Sequence, residues 1–214
     1  MSRWADVVAM RRFNGLPFDD SDPNYDSDAS LEYYIDRAQI AVRSDIMTLV
    51  RDDQMSGDID GSNTGFYVTF YPIADENYDG SLNLHDVTCY GWGDLSDFPT
   101  KTSLATSSIN FKEGRVVLAS APSSTYDVIT CDYHYSLYEM DFDLIEQATA
   151  YRAGWAYFRA KYMEVPSNVR IGAQAYRMED PSTKAKYAYL ELMNYIKTEL
   201  ISSWTKKGTK LRRP

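Results

Sequence analysis

Long hydrophobic runs are absent. In 214 residues no uninterrupted apolar stretch approaches the roughly 20 residues a bilayer-spanning helix needs, so no membrane partner is expected. Met1 to Phe18 mixes charges into its apolar residues and has no secretory h-region, and the expectation is a soluble, intracellular product. Cysteine is scarce: Cys89 and Cys131 are the only two, which excludes a disulfide framework. They suit small buried strand residues, and whether they pair stays open. Histidine is equally rare, His85 and His134, and neither stands in a His-x-x-x-His setting. Cys-x-x-Cys, Gly-x-Ser-x-Gly, phosphate-loop and dinucleotide fingerprints are missing too. No enzyme is expected, the residual reading being one whose carboxylates follow no motif, and no cofactor is expected apart from the calcium alternative below.

What is present is enough for a folded core. The apolar fraction is 44% and the charged fraction 25%, ordinary for a globular chain and incompatible with wholesale disorder. The net charge is −9; Lys206 to Pro214 carries five basic groups and no acid, so the remainder stands at −14. Acids cluster at Asp19, Asp20, Asp22, Asp26 and Asp28, and again at Asp52, Asp53, Asp58 and Asp60. Such a body repels phosphate, which argues against a sequence-reading DNA clamp. For most of these carboxylates solubility is reason enough.

Residues 1–29, punctuated by Gly15, Pro17 and Pro23, read as an extended arm with a short helix near Trp4 to Arg11. Ser30 can cap a helix running from Leu31 to Arg51, whose apolar residues Leu31, Ile35, Ala38, Val42, Ile46 and Leu49 recur at helical spacing. The period then shifts to two. Gly65–Tyr71, Asp86–Trp92, Ser107–Phe111, Arg115–Ala119 and Tyr126–Tyr135 read as strands, with Lys112-Glu113-Gly114 as a tight turn. Helical spacing returns after Asp141 or Asp143 and stops at Pro166. Ser167 to Glu179 has no strong period, and Asp180-Pro181 opens a last helix reaching about Trp204, with Ala185, Ala188, Leu192, Ile196 and Leu200 on its apolar side.

The expected fold is therefore α+β: a three-to-four-helix bundle with a small antiparallel β-domain inserted between the first and second long helices. The expected divisions are an arm at 1–29, the bundle at 30–63 and 136–204, the β-domain at 64–135, and a basic tail at 205–214.

Three features carry candidate chemistry. Asp75, Asn77, Asp79, Ser81 and Asp86 take the oxygen-ligand positions of a twelve-residue calcium loop, with Gly80 at its sixth position. The loop resembles those of EF-hand and dockerin modules, but a strand follows instead of a helix. The same residues also build an Asp/Asn/Gly-rich turn between strands. Tyrosine is abundant, 18 copies, with Tyr33, Tyr34, Tyr151, Tyr157, Tyr162, Tyr187, Tyr189 and Tyr195 on the predicted helices. These suit surfaces partly buried against another chain, or a core tolerant of tyrosine. The tail residues Lys206, Lys207, Lys210, Arg212 and Arg213 fit a solvated end, docking on an acidic groove of a partner or neighbouring copy, or contact with phosphates.

The helix segment Tyr33-Tyr34-Ile35-Asp36-Arg37-Ala38 resembles the opening helix of head–tail connector (adaptor) proteins of tailed viruses. Gly114-Arg115-Val116-Val117-Leu118-Ala119-Ser120-Ala121-Pro122, followed by Tyr126 through Tyr133-His134-Tyr135-Ser136, is similar to the hairpin of their inserted β-domains. Val169-Arg170-Ile171-Gly172 and the proline-started last helix look like their C-terminal half. The resemblance spans about residues 28–204 in outline. It implies a non-enzymatic structural protein of the virion, assembled in the host cytoplasm. Twelve copies would form a ring beneath the portal protein, contacting neck, head-completion or tail proteins. DNA would pass through the lumen without sequence-specific binding, and the basic tail would reach the portal. The competing expectation is a calcium-dependent module that presents the β-domain to a protein or glycan.

Overall fold

The computed structural model describes residues 3–93, 100–138, 140–162, 168–171, 174–177 and 180–200. It is α+β, a helical bundle with an antiparallel hairpin plus a β unit. Two compact units divide the chain, one made of Arg3–Asp45 and the residues from Asp141 into the last helix, the other of Ile46–Met140. The β unit is thus an insertion between two halves of the helical unit.

The helical unit begins with α1 (Val7–Asn14), capped by Asp6, whose carboxylate accepts from Ala9 N at 2.6 Å. Gly15 closes it in the left-handed region (φ 65°) with its N–H on Arg11 O. The next helix, α2 (Asp28–Ile46), starts earlier than Ser30 predicts: Ser27 O accepts from both Ser30 N and Leu31 N, at 3.0 and 3.2 Å. α3 (Phe142–Tyr162) starts at Asp141, whose side chain accepts from Leu144 N at 3.2 Å. α4 (Pro181–Glu199) has Asp180 as cap and proline in its first turn. Trp204, where the last helix was expected to end, lies outside the described residues.

These helices bury one core: Leu31, Ile35 and Ala38 of α2 meet Ala150, Ala153, Tyr157 and Phe158 of α3, with Met10 and Ala185. The buried stripe of α4 is Ala185, Tyr189, Met193 and Ile196. It keeps Ala185 and Ile196 of the face the spacing suggests, but Tyr189 and Met193, each one residue on and about 100° round the helix, replace Ala188 and Leu192, which are only half-buried. Tyrosine accounts for the difference, because Tyr189 is 4% exposed while its hydroxyl bonds the Asp45 carboxylate.

The β unit holds β1 (Thr48–Gln54), β2 (Gly65–Tyr67), β3 (Ile73–Ala74), β4 (Val87–Gly93), β5 (Thr100–Leu104), β6 (Thr106–Asn110), β7 (Arg115–Leu118) and β8 (Val128–Tyr135). One sheet runs β1-β8-β4-β5, with β3 also on β8; the other runs β2-β7-β6. Both supply a common core of Phe66, Val68, Val116, Leu118, Cys89, Ile129, Cys131 and Tyr133.

Three local expectations are corrected. The helix predicted through Arg51 stops at Ile46, and Thr48–Gln54 pairs antiparallel with β8, Thr48 opposite Tyr135 and Gln54 opposite Thr130. Long-range pairing overrides the helical spacing of Leu49 and Val50; residues 46–63, read as part of the bundle, accordingly lie in the β unit. The strand predicted over Gly65–Tyr71 pairs only to Tyr67; Val68 N still reaches Gly114 O at 2.9 Å, but side chains take the donors after it, Thr69 N going to Asp53 Oδ2 (2.7 Å) and Phe70 N to the Tyr133 hydroxyl (3.0 Å). Finally, Ser167–Glu179 contains a hairpin, β9 (Asn168–Ile171) with β10 (Gln174–Arg177).

Candidate functional site

The segment 75–86 folds as a closed loop in the β unit. Both Asp75 oxygens accept backbone N–H groups, Tyr78 at 2.8 Å and Gly80 at 3.0 Å, and Gly80 adopts φ 76° as the sharp turn requires. Asn77 Oδ1 accepts from Asp79 N, and Asp79 Oδ1 from Ser81 N and Oγ. Asp86 closes the loop from its far end, Oδ1 taking Glu76 N at 2.9 Å and Oδ2 taking Asn83 N at 2.8 Å. Asn83 and Asp86 form a capping box over a single 3-10 turn, after which β4 begins.

The five oxygen donors predicted from spacing therefore lie along one turn, but the closing carboxylate is committed. Calcium loops need their last acid to face the ion with both oxygens, and both Asp86 oxygens hold main-chain donors. Among the described residues no group of three or more His, Cys, Asp or Glu is placed to hold a metal ion. Asp75 and Asp86 are fully buried. Burial pushes the Asp86 carboxyl up to about 6, with the charge of Asp75 adding to it and the Asn83 and Glu76 N–H groups opposing. Burial also works against the Asp79 carboxylate, yet the Ser81 bonds hold it below its ordinary value. What the loop does as it stands is join β3 to β4 through self-satisfied carboxylates.

Other singled-out residues have separate places. Cys89 and Cys131 face each other across β4 and β8, buried and unbridged, with sulfurs 3.7 Å apart. His134 is buried on β8 with Nδ1 3.8 Å from Glu76 Oε1, while His85 is exposed in the 3-10 turn. The tyrosines divide. Tyr33, Tyr187 and Tyr195 are about half exposed or more, whereas Tyr157 and Tyr189 are core residues and Tyr34 and Tyr151 are half-buried. The side chain of Tyr162 and the basic residues Lys206, Lys207, Lys210, Arg212 and Arg213 lie outside what is described.

Spacing did not reveal how the arm is fastened. Arg11, buried on α1, donates to Pro17 O, to Asp26 O at 2.6 Å and to Asp28 Oδ1 at 2.8 Å, and its guanidinium lies 4.3 Å from the Tyr25 ring centroid. Asp26 accepts from the Tyr157 hydroxyl and from Lys161 Nζ. Burial, then the Asp26 carboxylate, pushes the Tyr157 hydroxyl up to about 12. In the sequence Arg11 looks like half of an Arg11-Arg12 pair ending a short helix, and nothing local marks it as the one that is buried.

No family model matches the chain, and no curated protein matches it. Among solved structures, the chain is similar to one in the neck of an empty GTA particle computed with C6 symmetry. The identity is 15%, over 86% of this chain and 85% of that chain, with a TM-score of 0.34.

Proposed function

We propose that this chain is a non-enzymatic structural protein of a tailed-virus particle, a head–tail connector that tiles into a ring under the portal protein. The reading puts twelve copies around a lumen that passes DNA, with neck or tail proteins on the far side. The observation that carries it is architectural: a β unit inserted between two halves of a helical unit, the layout that the connector resemblance of the sequence implies. Exposed apolar residues on the helices support it. Tyr33 and Ile40 of α2 and Tyr187, Leu190 and Tyr195 of α4 face solvent in the single chain, as does Phe18 in the loop between α1 and α2, apolar surface available for a neighbouring copy to cover. Ring closure requires heterologous contacts, one face of each copy on a different face of the next, and the two helical halves offer such faces. The acidic body suits a lumen that must not retain phosphate.

The basic segment Lys206 to Arg213 is proposed as the portal contact, since its charge is opposite to that of the rest of the chain. The experiment is co-assembly. The full chain is mixed with its cognate portal and analysed by size-exclusion chromatography with light scattering, beside a version truncated after Trp204. Ring-sized mass on the portal, lost on truncation, is the expected outcome. One-protomer mass under all conditions would count against the ring, and unaltered portal binding after truncation would count against the tail.

A further inference from the structure

In the helical unit, the cations are of two kinds. Arg3 pairs with Glu32 and Asp36, Arg11 with Asp28, Lys161 with Asp26 and Lys197 with Asp45. Arg12, Arg37, Arg152, Arg159, Lys184 and Lys186 make no ion pair with a carboxylate among the described residues, and three of them, Arg152, Arg159 and Lys186, surround the half-buried Trp155. Arg152 lies 4.3 Å and Lys186 5.5 Å from its ring centroid. A groove of about 420 Å³ between α3 and α4 and a smaller one of about 260 Å³ along α3 share Trp155 and Arg159 as walls. The one acid lining the groove among the described residues, Asp180, is occupied in capping α4, accepting from Ser182 N, Ser182 Oγ and Thr183 Oγ1. In a chain of net charge −9, an indole beside three cations that have no carboxylate partner among the described residues is a surface for an anionic segment that also carries an apolar side chain.

The same unit displays such a segment. At the tip of the arm Phe18 is 61% exposed and is followed by Asp19, Asp20, Ser21 and Asp22. Asp19 and Asp22 each use one oxygen locally, on Ser21 and Asn24, and Asp20 makes no hydrogen bond or ion pair among the described residues. The tip does not sag: Arg11 clamps both ends of the loop through Pro17 O and Asp26 O, and Asp26 is tied to Tyr157 and Lys161. A segment held in place beforehand loses little entropy on docking. Within one chain the tip stays exposed and the groove open, so the tip does not fill its own groove.

We infer that the Phe18–Asp22 tip of one copy docks on the Arg152–Trp155–Arg159–Lys186 face of the next. Phe18 lies against the indole, and the three carboxylates meet the two guanidiniums and the ammonium. Donor and acceptor patches differ, so the contact is heterologous and propagates around a ring; it rests on the ring reading above and names the faces that make it. Carboxylates at a solvated rim also make the contact weaken with salt.

Sedimentation of the full chain tests this with two charge reversals, Arg159→Glu with Lys186→Glu and Asp19→Lys with Asp20→Lys, each confirmed as folded by its melting curve. Each reversal is expected to weaken self-association at least about tenfold, and an equimolar mixture of the two to restore it, since each then carries the complement of the other. Wild-type association in either variant, or no rescue on mixing, overturns the contact. If rings form regardless of both reversals, the contact fails and the ring reading stands. If the wild type makes only charge-dependent dimers or open chains, the contact stands and the ring fails. A wild type that stays monomeric at every concentration overturns both. Retention of duplex DNA that Arg159→Glu with Lys186→Glu abolishes, with association unchanged, assigns the face to phosphate and overturns the proposal.

Discussion

Asn14 lies so close over the Cα of Gly154 that a side chain at 154 would occupy the space of the Asn14 amide. That amide crosses from α1 to α3, Asn14 Nδ2 donating to Met10 O at 3.0 Å and to Ala150 O at 2.9 Å. Glycine inside a helix ordinarily costs about 1 kcal/mol relative to alanine, so its presence in α3 records the close approach. Gly154→Ala is predicted to destabilise by about 1–3 kcal/mol as overpacking outweighs propensity. In an Asn14→Ala background the same change should become neutral or stabilising. Urea unfolding of the four members of the cycle measures the coupling, and additivity would contradict the packing argument.

The Tyr133 hydroxyl accepts from Phe70 N and donates to Asp53 Oδ2 at 2.8 Å, while Asp53 Oδ2 also accepts from Thr69 N. It thereby satisfies the main-chain donor left where β2 stops pairing. Tyr133→Phe keeps the ring in the core and strands the Phe70 N–H, for an expected loss of about 1–2 kcal/mol. Equilibrium denaturation checks it, and an unchanged midpoint would show the donor finds water at no cost.

The loop acid Asp86 sets a pH dependence. Its folded pKa of about 6 stands above the ordinary value near 4, so the folded state binds more protons between those limits. Stability from this group is fully present below about pH 4 and falls as pH rises toward about 6. Asp26 and Asp79, held below their ordinary values, act oppositely, but only in stronger acid. Denaturation midpoints measured from about pH 4.5 to 6.5 should therefore decline. Asp86→Asn should flatten that slope and lower stability throughout, since one amide oxygen cannot serve both Glu76 N and Asn83 N in the same way. A rising slope in the wild type would contradict the assignment.

Calcium tests the same loop from another direction. With both oxygens of Asp75 and of Asp86 on main-chain N–H groups, added calcium is expected to leave the melting temperature unmoved. A rise that disappears in Asp79→Ala would restore the calcium-dependent module as the better account.

Much of the architecture was legible because it is written in local chemistry. Asp180-Pro181 marks the start of α4, Gly114 the β6–β7 turn at φ 65°, and the spacing of Leu31, Ile35, Ala38 and Val42 the buried side of α2. What escaped depends on partners distant in sequence. Thr48–Gln54 becomes a strand only because β8 is there to pair with it. Asp52 takes a positive φ of 49° where the register shifts, which its polar neighbours do not foretell. The candidate site was readable as residue types and not as geometry: the acids of 75–86 were visible, whereas their commitment to main-chain donors belongs to the folded turn. The gathering of Arg152, Arg159 and Lys186 around Trp155, with no carboxylate partner among the described residues, was invisible, since it is a property of neighbours in space.

The central claim is assembly, and negative-stain images of the full chain mixed with its cognate portal vertex test it most directly. The account predicts closed rings of this chain seated coaxially on the portal. Isolated particles of one-protomer size beside bare portals would contradict it.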